Sequence, residues 1–159
     1  MTAPSPPGPR ATEAAPWSAS LPIPVTHLDL LTRPIVGVLT TMAADGQPQS
    51  SLVWVDLDVG GLACVNTTLE RQKGRNLLAD PKVSLLVVDP ENTGRFIQVR
   101  GDAELVTAGA IDHLDALTRA YTRHPGYYGC IYPLAQRARE TRVICRIHAR
   151  RITLDAIHA

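Results

Sequence analysis

Alternating apolar and polar positions recur along the chain from residue 25 onward and predict β-strands. Turn signals such as Asp45-Gly46 and Gly60-Gly61 separate the first runs, which is typical of strands joined by tight hairpins. Gly101 interrupts a later run and indicates a bulge or a bend. We therefore predict a mainly β, α+β fold, in which six antiparallel strands form a small barrel with short flanking helices. The predicted strands cover residues 35–43, 48–58, 62–66, 83–89, 95–106 and 142–157.

Helical periodicity is confined to three short segments. Thr26 is the predicted N-cap of the first helix, and Asp80-Pro81 ends the second. In the third, apolar residues recur from Ile111 onward at the spacing of one helix face. The segment 127–140 stays open between loop and helix. The predicted helices are His27–Thr32, 68–79 and 108–124.

The first 24 residues differ in composition from the rest and hold more than half of the 13 prolines. Such a segment lacks backbone donors and cannot offset the entropy of ordering, so we predict a disordered tail over 1–24. Trp17 is the one residue in it that we expect to dock on the body. The remainder, 25–159, has the size of a single domain.

Charge and composition exclude several classes of function. The chain has 16 basic and 15 acidic residues and a net charge of +1, which argues against a general nucleic-acid binder and gives no reason to expect a membrane-surface partner. No apolar run approaches the roughly 18 residues of a membrane span, and the N-terminus lacks the pattern of a secretory signal. The five histidines show no metal-ligand spacing, so we expect no metal site.

The three cysteines, Cys64, Cys130 and Cys145, form no CxxC pair. We therefore expect reduced, buried thiols in a reducing compartment, that is, a cytoplasmic protein. Four tyrosines cluster near the third helix, where packing against the core or an interface is the favoured role and proton donation to a substrate the alternative. They are Tyr121, Tyr127, Tyr128 and Tyr132.

The segment 65–77 carries the most informative motif, because it runs from the end of a strand into a helix. Thr67 and Glu70 have the spacing of a capping box. The first helical turn would offer free N–H groups and a positive dipole end, and Arg71, Lys73 and Arg75 add cations within two turns. Hydroxyl, backbone N–H and cation together suit a phosphate group.

Helical spacing places Lys73 and Asn76 on the same face as the apolar residues Leu69 and Leu77. Polar residues on an inward stripe are seldom buried without a partner, so an anion beside Lys73 is one interpretation. The other is a solvated surface helix, with the Lys73 stem lying along Leu77. The local pattern alone leaves both open.

The order of these motifs resembles the pyridoxamine 5′-phosphate oxidase-like split β-barrels, and within them the oxidoreductases that use the deazaflavin coenzyme F420. The resemblance lies in Asn66–Leu77, Asp80–Leu86 and Val99–Leu105, with Pro48–Trp54 upstream, and spans Leu28–Leu154. It implies a six-stranded split barrel and a homodimer with a cofactor groove at its interface.

The resemblance also implies a set of cofactor-binding residues. Residues of the strand at 50–53 would flank the ring system, two threonines would lie near the ribityl chain or phosphate, two cations would hold the phosphate, and an asparagine would stand behind them. In the same order these are Ser50, Ser51 and Val53; Thr67 and Thr68; Arg71 and Lys73; and Asn76.

One departure from the family pattern bears on the cofactor. The FMN-using oxidases carry an arginine on the strand that is matched here by Ser50 and Ser51. Losing that cation favours coenzyme F420 over FMN. The leading hypothesis is therefore hydride transfer from reduced coenzyme F420 to a small unsaturated acceptor. The alternatives are an FMN-dependent oxidoreductase and a non-catalytic protein that binds a flavin, a deazaflavin or haem.

Overall fold

The computed structural model describes Trp17 and residues 20–155. The predicted tail therefore lies outside the described residues except at Trp17 and 20–24, and so does the end of the last predicted strand. Within this part of the chain no helix is long and apolar enough to span a bilayer.

The described residues form seven strands, three α-helices and two 3₁₀ helices. The 3₁₀ helices are Val25–His27 and Leu134–Arg139. The α-helices are α1 (Leu28–Thr32), α2 (Gln72–Ala79) and α3 (Ala110–Thr122). The strands are β1 (Gly37–Met42), β2 (Pro48–Val53), β3 (Val55–Leu57), β4 (Ala63–Thr68), β5 (Lys82–Val88), β6 (Phe96–Val106) and β7 (Arg142–Leu154).

The strands form one antiparallel sheet in the order β2-β1-β5-β6-β7-β4-β3. Its two edge strands, β2 and β3, are consecutive in the chain and are separated only by Trp54. A single residue cannot bridge the width of a flat seven-stranded sheet, since neighbouring strands lie about 4.8 Å apart. The sheet must therefore curl until its edges meet, which gives the predicted split β-barrel.

The count of six strands was wrong by one, because the predicted strand 48–58 divides at Trp54. Residues before it pair with β1, and residues after it pair with β4. Its alternation was correct: Val53 and Val55 are buried, whereas Leu52 on the other face is 73% exposed. The strand changes its pairing partner without losing its period.

Long pairings hold the rest of the barrel. β6 pairs with both β5 and β7, and the register shift between Arg100 and Gly101 confirms the predicted bulge. The core lies inside the curled sheet and consists mainly of aliphatic side chains. Its largest fully buried members include Leu30, Leu31, Leu39, Leu85, Ile97 and Ile147.

Two predicted helix caps do not form. Thr26 bonds the His27 ring instead of capping α1. Thr67 and Thr68 still belong to the β4–β7 ladder, so α2 begins four residues later than predicted. Glu70 turns away from the helix, and its carboxylate accepts a hydrogen bond from the Thr141 N–H at 3.0 Å. The strand ladder and this cross-chain contact take the groups that a capping box would use.

The end of the predicted tail lies against β7. Leu21 donates its N–H to the Ala149 carbonyl at 2.9 Å, and the Ser20 hydroxyl accepts from the Ala149 N–H at 3.0 Å. Trp17 stacks on the His148 ring with centroids 4.7 Å apart, which confirms the expected docking of this residue. The body of the fold thus extends to Ser20.

Candidate functional site

A cavity of about 330 Å³ opens beside the point where the two sheet edges meet. Its walls come from β2, β4, the start of α2, one face of α3, the loop after α3 and the start of β7. Cations line one part of it and apolar or aromatic side chains the other. The lining residues are Val36, Leu52, Val53, Trp54, Asn66, Arg71, Lys73, Leu114, Leu117, Tyr127 and Arg142.

Three cations converge at this cavity although they come from distant parts of the chain. Arg71 and Lys73 stand at the start of α2, and Arg142 is the first residue of β7. The register that pairs Thr68 with Arg142 brings the start of β7 next to the start of α2. Glu140 is the carboxylate in this group, 3.0 Å from Arg142 and 3.9 Å from Arg71. Three positive charges thus meet one negative charge.

Lys73 is the third cation of this group. It is half-buried, and within the part of the chain that the structure describes its ammonium has no acidic partner. Burial, Arg71 and Arg142 together hold the pKa of Lys73 below its usual value. A ligand anion at this position would supply the missing negative charge.

Arg142 is buried and held on several sides. Its Nε donates to the Tyr128 hydroxyl at 2.9 Å, and its guanidinium lies 4.8 Å from the centre of the Tyr127 ring. Burial alone would lower the pKa of Arg142, but the bond to Tyr128 and the charge of Glu140 raise it overall. The cation is therefore fixed in position and in charge.

Aromatic and aliphatic side chains form the rest of the wall. Trp54 stacks on Tyr121 at 5.4 Å and meets the edge of Tyr127 at 6.4 Å. The Tyr121 hydroxyl is occupied by the backbone, since it donates toward the Ile35 and Val55 carbonyls and accepts from the Val55 N–H. Tyr121 therefore supports the wall, in line with the packing role favoured for the tyrosine cluster.

The structure brings three of the eight predicted cofactor-binding residues to this cavity: Val53, Arg71 and Lys73. It does not bring the other five. Ser50 bonds the Thr40 hydroxyl at 2.8 Å on the exposed side of β2, and Ser51 does not line the cavity either. The remaining residues, which lie deeper in the fold, are Thr67, Thr68 and Asn76.

The two threonines are fully buried in β4 and do not line the cavity. Side chains alternate along a strand, so Thr67 lies on the opposite face of β4 from Asn66, which does line it. The Thr68 hydroxyl accepts from the Arg71 N–H at 3.2 Å and so shapes the turn into α2. Thr68 therefore helps to position Arg71, whereas the buried Thr67 hydroxyl has no hydrogen-bond partner among the residues described.

Asn76 ties α2 to the hairpin of β1 and β2. Its amide nitrogen donates to the Thr41 hydroxyl at 3.0 Å and to Gln49 at 3.1 Å, and its oxygen accepts from Gln72 at 2.8 Å. Asn76 and Thr41 are both buried. The helix that carries Lys73 is thereby held against the sheet from behind.

We expect Asn76→Ala to lower the free energy of unfolding by about 1–3 kcal/mol, because it strands buried polar partners. Urea denaturation of the two proteins measures this. Leu78→Ala is the matched control, since Leu78 lies on the same helix and is 61% exposed. Equal stability of the Asn76 variant and the parent would contradict the role given to this amide.

Sequence reasoning missed most of the cavity lining, including all four of its other polar or aromatic residues: Trp54, Asn66, Tyr127 and Arg142. Asn66 stands at the head of the motif and Tyr127 in the tyrosine cluster, so both carried a local signal. Arg142 carried no local signal, because it lies 76 positions after Asn66 in the sequence and only strand pairing brings the two residues together.

The cysteines and histidines form no metal centre among residues 17 and 20–155. Cys64 and Cys145 are buried as expected, and burial raises the pKa of the Cys145 thiol to about 12. Cys130 is exposed, so the expectation of burial was wrong for that thiol. It lies in the loop after α3, most of whose residues are exposed or only partly buried.

Comparison with known proteins places the chain in a family. The sequence model described as pyridoxamine 5′-phosphate oxidase matches residues 23–154. The chain belongs to the pyridoxamine 5′-phosphate oxidase family. This family of flavin- and deazaflavin-binding oxidoreductases is the one whose motifs the sequence resembles.

Solved structures agree with this family. A protein named F420 Reductase is 32% identical, with 82% of this chain and 98% of that chain covered and a TM-score of 0.68. The conserved hypothetical protein Rv2991 from Mycobacterium tuberculosis is 27% identical, with 87% of both chains covered and a TM-score of 0.66. A heme binding protein from Mycobacterium smegmatis shares the fold at 21% identity and a TM-score of 0.53, with 84% of this chain and 55% of that chain covered.

Proposed function

We propose that this family member is an oxidoreductase that binds coenzyme F420 in the cationic cavity and reduces a small unsaturated organic molecule. The observation that carries the proposal is the Lys73 ammonium, which stands near two arginines and has no acidic partner among the residues described, since it calls for an anionic ligand. Reduced coenzyme F420, when bound, supplies the hydride. The protein itself binds, orients and excludes water.

The anionic part of the cofactor fits the cation cluster. Arg71 and Lys73 offer a fork and a point charge to phosphate oxygens, and Arg142, whose guanidinium is bound to Tyr128 and Glu140, adds a third positive charge nearby. Helix α2 begins at Gln72, which lies between Arg71 and Lys73 in the sequence. The free N–H groups of its first turn and its positive dipole end therefore lie in the same region as these two cations. Glu140 offsets only one of the three charges.

The ring system fits the apolar part of the cavity. Leu114 and Leu117 are buried on α3, and Trp54 and Tyr127 present aromatic surface at right angles to each other. Such walls hold a flat ring in one orientation and keep water away from it. When the cofactor supplies the chemistry, orienting the reactants accounts for a large share of the catalytic effect. In favourable cases it lowers the activation free energy by up to about 7–11 kcal/mol.

Two observations favour the deazaflavin over FMN. The solved structure named F420 Reductase is 32% identical over 82% of this chain. In addition, β2 carries Ser50 and Ser51, which give no cation to a phosphate on that strand. The proposal of an unsaturated acceptor rests only on the chemistry of a hydride donor.

We further propose that two copies of the chain complete the cofactor groove. Leu52 is 73% exposed and Val36 is 47% exposed at the rim of the cavity, and apolar side chains of this size favour a covered position. A cavity of about 330 Å³ also holds only part of a cofactor with a long tail.

The three free thiols favour a cytoplasmic location.

A titration tests the cofactor. The full chain is mixed separately with coenzyme F420, FMN and haem, and fluorescence or absorbance is followed. We expect micromolar binding of coenzyme F420 and oxidation of its reduced form when acceptors with an activated C=C bond are added. Sedimentation at the same concentrations checks the dimer.

Binding of FMN with no binding of coenzyme F420 would replace the proposed cofactor with the alternative one. Binding of coenzyme F420 or haem without turnover across the acceptor panel would indicate a carrier or sensor instead of an enzyme. Binding and turnover are both measured on the same samples, so the identity of the cofactor and the presence of activity are tested separately.

A further inference from the structure

Asn66 lines the cavity from β4, and its amide orientation is fixed from behind. The amide nitrogen donates to the Ala110 carbonyl at 2.8 Å and lies 3.1 Å from Nδ1 of His113. A carbonyl can only accept, so the nitrogen and not the oxygen of Asn66 must face Ala110. The same nitrogen then faces His113, and Nδ1 of that ring accepts.

Asp56 fixes the other side of the histidine. Nε2 of His113 lies 2.9 Å from the Asp56 carboxylate, and the histidine side chain is 13% exposed. Because Nδ1 accepts from Asn66, the ring proton sits on Nε2 and is donated to Asp56. Three elements, β3, α3 and β4, thus contribute one residue each to a directed chain of hydrogen bonds.

This chain of bonds leaves one Asn66 atom facing the cavity. The amide oxygen lies 3.5 Å from the Arg142 guanidinium, a distance at the limit of a hydrogen bond, and has no closer partner in the part of the chain described. Both N–H groups are used behind the wall. The cavity therefore meets an acceptor whose direction cannot reverse without breaking the bonds to Ala110 and His113.

We propose that the Asn66 oxygen selects ligands that present a hydrogen-bond donor, an N–H or a hydroxyl, to this wall, and that His113 and Asp56 are positioning residues for it. The inference rests on the proposed function, because the ligand is taken to occupy this cavity. It adds a neutral, directional contact to a site whose charged lining residues are cations. A cation attracts any anion, whereas a fixed acceptor distinguishes ligands by where they carry a proton.

Calorimetric titration of the full chain with coenzyme F420 and, separately, with FMN tests this. We expect Asn66→Ala to raise the dissociation constant about 2- to 13-fold, the range of one neutral hydrogen bond. His113→Phe removes the positioning ring bond from outside the cavity and should give a similar increase. The double variant should bind no worse than Asn66→Ala alone, because the histidine acts only through the amide.

Two further variants separate positioning from general damage. His113→Gln can still accept from Asn66 and donate to Asp56, so it should restore most of the affinity. His124→Phe is the matched control, because His124 is exposed just beyond α3 and should leave affinity unchanged. Additive losses in the double variant, or no loss in Asn66→Ala, would overturn the proposal.

The source of the donor is found with a ring-only deazaflavin, which keeps the ring N–H but lacks the ribityl hydroxyls. A loss with Asn66→Ala that persists on this probe assigns the donor to the ring, and a loss that vanishes assigns it to the ribityl chain. Nitrogen-15 NMR of the ligand-free protein adds a test that needs no cofactor. A proton on Nδ1 of His113 overturns the inference, whereas failure of coenzyme F420 to bind overturns only the proposed cofactor.

Discussion

Replacing Lys73 with alanine is expected to raise the dissociation constant for coenzyme F420 about 5- to 150-fold, which corresponds to about 1–3 kcal/mol for a charge-assisted hydrogen bond. The side chain is half-buried beside Arg71 and Arg142, and its charge has no acidic partner among the residues described. Binding of an anion is therefore the interaction that the ammonium can gain. Fluorescence titration of parent and variant measures the change.

Lys82 supplies the matched control, because the chain contains only these two lysines. Its side chain is 75% exposed and lies 3.4 Å from Asp80, away from the cavity. We expect Lys82→Ala to leave the dissociation constant within a factor of two, as an exposed ion pair contributes little. Equal effects of the two substitutions would return Lys73 to the interpretation of a solvated surface residue.

The pKa of Lys73 adds the direction of a pH effect. It is lowered in the folded protein, so between the folded and the unfolded values the unfolded chain binds more protons. The ligand-free protein should gain stability as pH rises through that interval, while its affinity for an anion falls. Lys73→Arg keeps the charge and should move the loss of affinity to higher pH. A loss of affinity at the same pH in both proteins would contradict the assignment to Lys73.

Part of the site, including Lys73, could be predicted from the sequence. Arg71 and Lys73 stand in one short segment that also opens a helix, so their charges and spacing are visible in the sequence. The partners of these cations are not. Arg142 and Tyr127 reach the cavity only through the pairing of β4 with β7 and the path of the loop after α3. Long-range pairing leaves no local trace at either end.

The strands were predicted well because alternation survives wherever one face is buried. The error at Trp54 has a physical reason: a strand that leaves one partner and joins another keeps its period of two, so the break is invisible in the pattern. The error at the start of α2 has a different reason. Thr67 and Thr68 have side chains suited to a cap, but their backbone groups are already paired with β7. Tertiary pairing overrides a local signal of about 1 kcal/mol.

Gly74→Ala is expected to destabilise the protein by about 3 kcal/mol or more, although alanine is the better helix former by about 1 kcal/mol. Gly74 is buried where α2 crosses the end of β4, and a Cβ atom there would lie 2.0 Å from the Thr68 carbonyl oxygen. That oxygen belongs to backbone in register with Arg142 of β7. β4 cannot shift without breaking its hydrogen bonds to β7, so α2 must move.

Movement of α2 would carry Lys73 away from the cavity, because the two residues are neighbours. Chemical denaturation and cofactor titration of Gly74→Ala should therefore show two losses, one of stability and one of affinity. Gly94→Ala is the control: its nearest neighbour would be the Asn92 side-chain oxygen at 3.3 Å, which can rotate aside. A gain of stability in Gly74→Ala would mean that helix propensity outweighs the close approach, and that α2 does not rest on β4 as tightly as the cation cluster requires.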